Sequence, residues 1–260
     1  MKKAKFQKGH FIKQVAKLGV VEHFYSLQGE GKYSGRAALF FRLAGCNLRC
    51  RGFGVELAIN SEKIVGCDTI RAVYTNHFKP RQISTLSELI AILDGYKFQK
   101  KPIVVITGGE PLLWYKNELF YSFINYILDS GYSLHFETNG TINLDFESYP
   151  RYKEAVFCIS PKLSNSGESK EKRLNPKALS SIKQNAKEFF YKFVIDKSID
   201  SAEIDEIVDI AEGDVYCMPL GSNKKELDAN TKFCFEFCMK KGYNYSDRLH
   251  IRAFDDKEGV

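Results

Sequence analysis

The sequence AALFFRLAGCNLRC (37–50) decides the fold and the chemistry that we expect for this chain. Its first eight residues are almost entirely apolar, which predicts a buried strand. A glycine then leads into Cys46 and Cys50, separated by three residues, and sixteen residues separate Cys50 from Cys67. Three thiolates on a four-iron cluster would leave one iron open for a cofactor or substrate. The spacing alone favours cluster ligands and buried core cysteines equally.

The composition fits a single domain that spans residues 1–260. Of the 260 residues, 44% are hydrophobic, and the net charge is +6. No apolar run reaches the ~20 residues of a membrane span, and the basic N-terminal extension 1–20 lacks the apolar centre of a signal peptide. We therefore expect a cytoplasmic protein with no membrane partner. No arginine-rich stripe or stacking-aromatic module is present, so we expect no direct nucleic-acid partner.

The chain has seven cysteines, and an odd number in a cytoplasmic protein favours metal binding or catalysis over disulfides. Cys234 and Cys238 are four apart on a predicted helix. A second cluster there would lack a nearby partner ligand, so core packing is the favoured interpretation. Cys158 and Cys217 lie in predicted strands and are also expected in the core.

Short apolar strands alternate with helices along the chain. The predicted strands cover residues 37–44, 103–106, 132–136, 155–159, 189–195, 215–218 and 248–254. The predicted helices cover 118–128, 178–185, 204–211 and 225–241, and a capping box at Thr85 and Glu88 opens a further helix that Gly95 closes. This alternation predicts an α/β protein with a parallel sheet. Six or seven strands are too few for a closed eight-stranded barrel, so we expect a partial, open parallel β/α barrel with its chemistry at the carboxyl ends of the strands.

A second chemical signal is TGGEP (107–111), directly after the predicted strand 103–106. Two glycines allow a ligand to approach the backbone closely. Backbone carbonyls and the Glu110 carboxylate can then accept hydrogen bonds from an ammonium group. The alternative is an ordinary strand-to-helix turn with Pro111 at the helix start.

Together these motifs resemble those of the radical S-adenosylmethionine (SAM) superfamily, and within it the family of 7-carboxy-7-deazaguanine synthases. The similar segments are FYSLQGEG (24–31), FFRLAGCNLRC (40–50), GCDT (66–69), ITGGEPLL (106–113), FETNGT (136–141) and ISPK (159–162), with MPLG (218–221) as a looser match. They follow the family's order over most of the chain. The resemblance implies the radical SAM type of barrel and conversion of 6-carboxy-5,6,7,8-tetrahydropterin to 7-carboxy-7-deazaguanine with loss of ammonia, in queuosine precursor synthesis.

The resemblance also implies a role for each matching residue. Cys46, Cys50 and Cys67 would ligate a [4Fe–4S] cluster whose open iron binds SAM. The SAM contacts would be Gly66, Cys67, Asp68, Gly109, Glu110, Thr138, Asn139, Ser160, Pro161, Lys162, Met218, Pro219, Leu220 and Gly221. The pterin substrate would be bound by Leu27, Gln28, Gly29, Arg42, Thr107 and, on a looser match, His250. Thr69 would offer its hydroxyl to Mg²⁺, a hard cation that prefers oxygen ligands. By the same resemblance the protein would be a homodimer and would take electrons from a donor such as flavodoxin.

One departure from the family pattern concerns the third cysteine. The family has CxxxCxxC, whereas residues 51–66 form an insertion between Cys50 and Cys67 here. In members with a lengthened loop the last two cysteines stay close, and by that pattern the second ligand would fall at Ile64, so Cys50 must serve instead. Loop-closure entropy grows slowly with length, so the insertion is physically tolerable, but it changes the local geometry expected around Cys67.

Two other functions fit parts of the sequence. A different small radical SAM enzyme, such as an activase for glycyl-radical enzymes, would share the cysteines but not the QGEG segment or Arg42. A zinc-stabilised binding protein would use Cys46, Cys50, Cys67 and His77 as a Cys₃His site.

Overall fold

The computed structural model describes residues 17–59 and 62–257 of the chain. Its strands are β1 (Leu18–Leu27), β2 (Ala37–Leu43), β3 (Val55–Ile59), β4 (Glu62–Gly66), β5 (Arg81–Ile83), β6 (Ile103–Gly108), β7 (Ser133–Thr138), β8 (Val156–Ile159), β9 (Glu188–Ile195), β10 (Asp214–Pro219) and β11 (Asn244–Tyr245). Its helices are α1 (Ile70–Val73), α2 (Leu86–Asp94), α3 (Glu118–Asp129), α4 (Lys170–Arg173), α5 (Pro176–Asn185), α6 (Ser201–Ile210), α7 (Lys224–Lys241) and α8 (Leu249–Phe254). None of these helices is long and apolar enough to span a membrane.

Nine strands form one sheet, in the order β11-β10-β9-β8-β7-β6-β2-β1-β5. From β2 to β11 each neighbouring pair is parallel. Strand β1 runs antiparallel to both β2 and β5, so the parallel part continues into a short antiparallel edge. The predicted α/β fold, an open parallel β/α barrel, is confirmed.

Six of the seven predicted strands and all five predicted helices are present, with shifts of a few residues at their ends. The capping box of α2 is also confirmed, since the Thr85 hydroxyl accepts from the Glu88 N–H and the Glu88 carboxylate accepts from the Thr85 N–H. The prediction that Cys234 and Cys238 are core residues is also confirmed, because both lie in the main apolar core.

The predicted strand at 248–254 is wrong, because residues Leu249–Phe254 form α8. The segment after β11 does not join this edge of the sheet, whose last strand is β11 beside β10. It folds instead against the start of the chain, where the Leu249 N–H donates to the Gly29 carbonyl at 3.0 Å. Leu249 and Ile251 lie on different faces of this helix, since Ile251 is buried and Leu249 is 39% exposed.

The predicted basic extension, residues 1–20, overlaps the first strand of the sheet, which begins at Leu18. Leu18 and Val20 are buried and belong to β1, so they are part of the sheet. Residues 1–16 lie outside the described part of the chain.

The sheet separates an apolar core from a polar face, because side chains alternate along each strand. On the helix-covered face the core includes Phe41, Ile106, Phe136 and Phe193. The neighbouring residues in the same strands point to the opposite face and are polar: Arg42, Thr107, Glu137 and Lys192. The polar face therefore carries its functional groups on four strands of a rigid sheet.

The insertion 51–66 forms a short 3₁₀ turn, Arg51–Phe53, followed by the antiparallel hairpin β3–β4. Val55 pairs with Gly66 at the base of the hairpin. The chain therefore leaves the loop after Cys50 and returns beside its starting point one residue before Cys67.

Candidate functional site

A cavity of about 1190 Å³ lies on the polar face of the sheet. Pockets for a single drug-sized ligand usually measure roughly 300–1,000 Å³. The site residues predicted from the sequence line this cavity, except Gly66, Glu110, Pro161 and Pro219. The structure thus gathers residues from 27 to 250 around one space that is large enough for two small molecules.

All three cysteines of the predicted cluster face this cavity. Burial raises the pKa of the Cys46 thiol to about 12 and that of Cys50 to about 11. The Cys67 sulfur lies 3.2 Å from the Thr69 hydroxyl. Iron binds thiolates, so occupancy by a cluster would release the protons of these thiols.

The hairpin β3–β4 explains how Cys50 and Cys67, which are distant in sequence, line the same cavity. Because Val55 pairs with Gly66, residues 51–54 alone bridge Cys50 to the base of the hairpin. The Tyr74 hydroxyl donates to the Val65 carbonyl at 3.1 Å and fixes β4 to the segment after α1. The long separation in sequence is therefore a short one in space.

His77 does not join the cysteines. It is absent from the lining of the cavity, and its Nε2 atom lies 3.9 Å from a carboxylate oxygen of Glu62. Among the described residues, no group of three or more His, Cys, Asp or Glu side chains is arranged to hold a single metal ion. His77 thus does not share the cavity with the three cysteines, as the Cys₃His arrangement considered from the sequence would require.

The turn after β6 packs directly against the first cysteine. Gly108 has a φ of +148°, which favours glycine, and a Cβ atom at this position would overlap the Leu43 backbone. A Cβ atom on Gly109 would overlap the Gly45 carbonyl and lie 2.7 Å from the Cβ of Cys46. Both glycines are therefore needed for the turn and the cysteine loop to touch.

Glu110 lies behind the cavity wall and is fully buried. Its carboxylate accepts hydrogen bonds from the Leu112 N–H, the Thr138 hydroxyl and the Asn139 N–H, at 2.7–3.0 Å. Burial raises the pKa of Glu110 to about 7, against these hydrogen bonds. The contacts show that Glu110 holds Thr138 and Asn139, which do face the cavity, in place.

Lys162 presents an ammonium group to the cavity from the segment after β8. Its Nζ atom lies 3.2 Å from the Ser160 hydroxyl and 5.9 Å from the centre of the Phe53 ring. Phe53 belongs to the insertion, so the insertion forms part of the cavity wall. No ion pair of Lys162 occurs within the described residues, which leaves its charge available to an anionic ligand.

The predicted substrate residues are already engaged with acidic side chains. The Arg42 Nε–H donates to Glu22 at 2.6 Å, which leaves the terminal nitrogens of the guanidinium for another partner. The Thr107 hydroxyl and the Gln28 amide both donate to Glu137, at 3.2 and 3.1 Å. These contacts order the donors that face the cavity.

Sequence analysis missed five charged residues of this site: Lys192 and Arg248, which are buried, and Glu22, Glu30 and Glu137, which are partly buried. Lys192 Nζ lies 2.7 Å from Glu30 and 3.3 Å from Glu137. Burial would raise the pKa of Glu30, but Lys192 and Arg248 outweigh it and hold that pKa well below its usual range. A lysine inside the apolar strand EFFYKFVI was a signal for Lys192, since lysine is rarely buried without a partner. Arg248 carried no comparable signal.

His250 lines the cavity beside the turn after β1. A Cβ atom on Gly29 would overlap the Nδ1 atom of His250, so the turn after β1 and the start of α8 are in close contact. Burial lowers the pKa of His250, although Glu30 opposes this shift. The imidazole is therefore held neutral beside the turn that was predicted to bind substrate.

The chain is similar to several characterised groups of proteins. The model of a family described as a 4Fe-4S single cluster domain matches residues 27–185. A 7-carboxy-7-deazaguanine synthase from Rhodopirellula baltica is 31% identical over 255 residues, which cover 93% of this chain and 88% of the relative. A protein of the same name from Pyrobaculum aerophilum is 31% identical over 248 residues, which cover 92% of this chain and 96% of the relative. The crystal structure of QueE from Escherichia coli has the same fold, with a TM-score of 0.60 and 22% identity over 89% of this chain and 93% of that chain.

Proposed function

We propose, from the premise that this chain belongs to the 7-carboxy-7-deazaguanine synthase family, that the cavity is the active site of its radical SAM reaction. The chain is a carbon–nitrogen lyase that converts 6-carboxy-5,6,7,8-tetrahydropterin to 7-carboxy-7-deazaguanine with loss of ammonia. The observation that carries the site assignment is that Cys46, Cys50 and Cys67 share one cavity with Gly109, despite the insertion that separates the last two cysteines.

The donor set fits a four-iron cluster with one open iron. Three thiols face the cavity, and no fourth cysteine among the described residues does so. Cys46, Cys50 and Cys67 would therefore hold the [4Fe–4S] cluster, and SAM would occupy the remaining iron. When bound, the reduced cluster and SAM supply the radical that starts the reaction, which is chemistry that protein side chains do not provide.

The chain's own residues would position SAM beside the cysteines. The unpaired ammonium group of Lys162 suits the SAM carboxylate, because it faces the cavity with only a hydroxyl and a ring as neighbours. Thr138 and Asn139, held from behind by Glu110, would supply polar contacts on the opposite wall. Gly109 would allow SAM to lie close to the backbone next to Cys46.

The substrate would lie at the other end of the cavity, against the polar face of the sheet. Arg42 would bind the pterin carboxylate through its terminal nitrogens, since Glu22 already occupies Nε and a guanidinium can bond both carboxylate oxygens. The carboxylate of Glu137, surrounded by donors, suits the N–H groups of the pterin ring. Both groups lie on strands, which keeps the reacting ring fixed relative to SAM.

Three further features remain proposals. Thr69 would bind Mg²⁺, because it lines the cavity and its hydroxyl is an oxygen ligand of the kind that this cation prefers. The chain would act in the cytoplasm as a homodimer. It would take electrons from a small donor protein such as flavodoxin.

The cysteine assignment is tested by replacing Cys46, Cys50 and Cys67 singly with alanine. Each variant, reconstituted with iron and sulfide without oxygen, should bind less than a full cluster and form no 7-carboxy-7-deazaguanine. Iron and sulfide per chain and product by mass spectrometry are the two measurements. Full iron content and turnover in the Cys50→Ala variant would reject Cys50 as a ligand.

A matched control is Cys234→Ala, which removes a buried thiol from the core rather than from the cavity. It should keep the cluster and the activity. A loss of the cluster in this variant as well would mean that the cysteine variants report general unfolding and not ligation.

A further inference from the structure

One guanidinium joins three separate parts of the cavity. Arg248 is 8% exposed, and each of its bonds goes to a different segment. Its Nε–H donates to Glu30 at 2.7 Å, its Nη1 to the Gly221 carbonyl at 2.6 Å, and its Nη2 to Asp68 at 3.1 Å. Each of the three nitrogens of this side chain therefore binds a different acceptor.

The three acceptors belong to segments that would bind different ligands. Asp68 and Gly221 lie in the two segments proposed above for SAM. Glu30 follows Gly29, in the turn proposed for the substrate, and the Leu249 N–H beside Arg248 donates to the Gly29 carbonyl at 3.0 Å. Arg248 therefore bonds segments of both proposed ligand sites at once.

Asp68 can contact a ligand while it is hydrogen-bonded to Arg248. Its side chain keeps 62% of its surface exposed, whereas Glu30 keeps 13%. A molecule that contacts Asp68 therefore acts on a carboxylate whose position also sets the position of Arg248, and through it that of the Glu30 turn.

We propose that Arg248 is a positioning residue that couples the two ligand sites, so that binding of SAM strengthens binding of the pterin and the reverse. This inference rests on the proposed function. A ligand that fixes Asp68 and Gly221 also fixes the Arg248 guanidinium, which bonds both of them. The guanidinium, a rigid planar group, in turn fixes the turn at Glu30. The second ligand then meets a turn that is already ordered, and linkage requires the effect to be equal in both directions.

Lysine cannot replace Arg248 in this role. An ammonium group is a compact point charge, whereas the guanidinium presents donors in a fixed planar fork. The Arg248→Lys variant should keep one charged contact but lose the connection among three segments. It retains a positive charge in the cavity, so it separates the connection from simple charge.

The test measures affinity for S-adenosylhomocysteine, which is not cleaved, by titration calorimetry on the protein with its cluster. The dissociation constant is measured alone and with saturating 6-carboxy-5,6,7,8-tetrahydropterin. The pterin should tighten binding at least about 5-fold in the wild type, the lower end of typical coupling between sites. In Arg248→Lys the ratio should fall close to one. No coupling in the wild type, or unchanged coupling in the variant, would overturn the proposal.

Arg252→Lys is the matched control. Arg252 lies in α8, which begins directly after Arg248, and bonds Asp247, Asp228 and Thr231, but it does not line the cavity. This variant should keep the wild-type coupling ratio. An equal loss of coupling in both variants would show that disturbance of α8 in general, and not Arg248, is responsible.

A measurement on the wild type covers the case in which Arg248→Lys does not fold. S-adenosylhomocysteine alone should slow hydrogen exchange at the Gly31 amide, which donates to the Ser246 hydroxyl at 2.8 Å, and at the Leu249 amide. Unchanged exchange at the Gly31 and Leu249 amides, together with slowed exchange at the Asp68 amide, would overturn the coupling but not the proposed function. A wild-type protein that binds no S-adenosylhomocysteine would overturn the proposed function and the coupling with it.

Discussion

Gly109→Ala should weaken the cluster while leaving the fold intact. The substitution adds one methyl group at the contact between the turn after β6 and the cysteine loop. That methyl would overlap the Gly45 carbonyl oxygen and lie 2.7 Å from the Cβ of Cys46. The Glu110 N–H also donates to the same Gly45 carbonyl at 2.8 Å, so the loop cannot withdraw without stretching this bond.

The size of the effect follows from what must move. The crowded atoms include backbone, which cannot turn aside as a flexible side chain would. Overpacking of this kind costs about 1–3 kcal/mol. If that energy falls on the arrangement that binds the cluster, affinity for the cluster drops by a factor of about 5 to 150, since each 1.4 kcal/mol is tenfold.

The assay is the rate at which a chelator removes iron from the reconstituted variant, with iron and sulfide per chain measured beforehand. Urea unfolding checks that the fold remains. Gly95→Ala is the control, because Gly95 ends α2 with a φ of −65°, which alanine adopts freely, far from the cysteines in the chain. It should lose iron at the wild-type rate. A Gly109→Ala protein with a full cluster and an unchanged rate would refute the idea that this contact supports the cluster.

Two further predictions concern buried charge. Lys192→Met removes the cation between two carboxylates and should lower the free energy of unfolding by about 3 kcal/mol. Adding Glu137→Gln, which removes one of the carboxylate charges, should recover part of that loss. Equal stability of the wild type and the Lys192→Met variant in urea would contradict this prediction. Burial lowers the pKa of His135 to about 4, so the unfolded chain binds a proton that the folded chain does not, and stability is lost as pH falls below about 6.5. From pH 8 to pH 5 the free energy of unfolding should fall by about 2 kcal/mol for this reason, and the His135→Phe variant should not show this fall. Identical pH dependence of urea unfolding in the wild type and the variant would contradict the prediction.

Much of the fold could be predicted because its central strands are buried on both faces. Residues 103–106 form a continuous apolar run, and β6 contains them with every residue buried. The segment 248–254 could not be assigned in this way. Its apolar alternation suits an edge strand, but the segment packs against the turn at Gly29, which lies far away in the sequence. Such a contact between distant segments is decided by tertiary structure.

The site was predictable where its residues are adjacent in sequence. Cys46, Cys50 and the glycines after β6 stand in short recognisable segments. The partners of Arg248 do not, since Glu30 is 218 residues away from it in sequence. An ion pair over that distance depends on which turns the sheet brings together, so no local pattern announces it. Glu137 lies in the segment FETNGT (136–141), but its partners Thr107 and Lys192 are distant in sequence, so no local pattern indicates its role.

The hairpin β3–β4 makes the insertion a self-contained module. Its base is fixed by the pairing of Val55 with Gly66, and the position of Cys67 depends on that base and not on the hairpin's length. Residue pairs could thus be added or removed beyond Ile59 and Glu62 without changing the spacing of the cysteines. Evolution can therefore vary the outer part of the hairpin without changing the cavity wall, to which Phe53 and Val55 contribute. For the experimenter it offers an attachment point for a fluorescent label on a hairpin whose base lies beside Cys67.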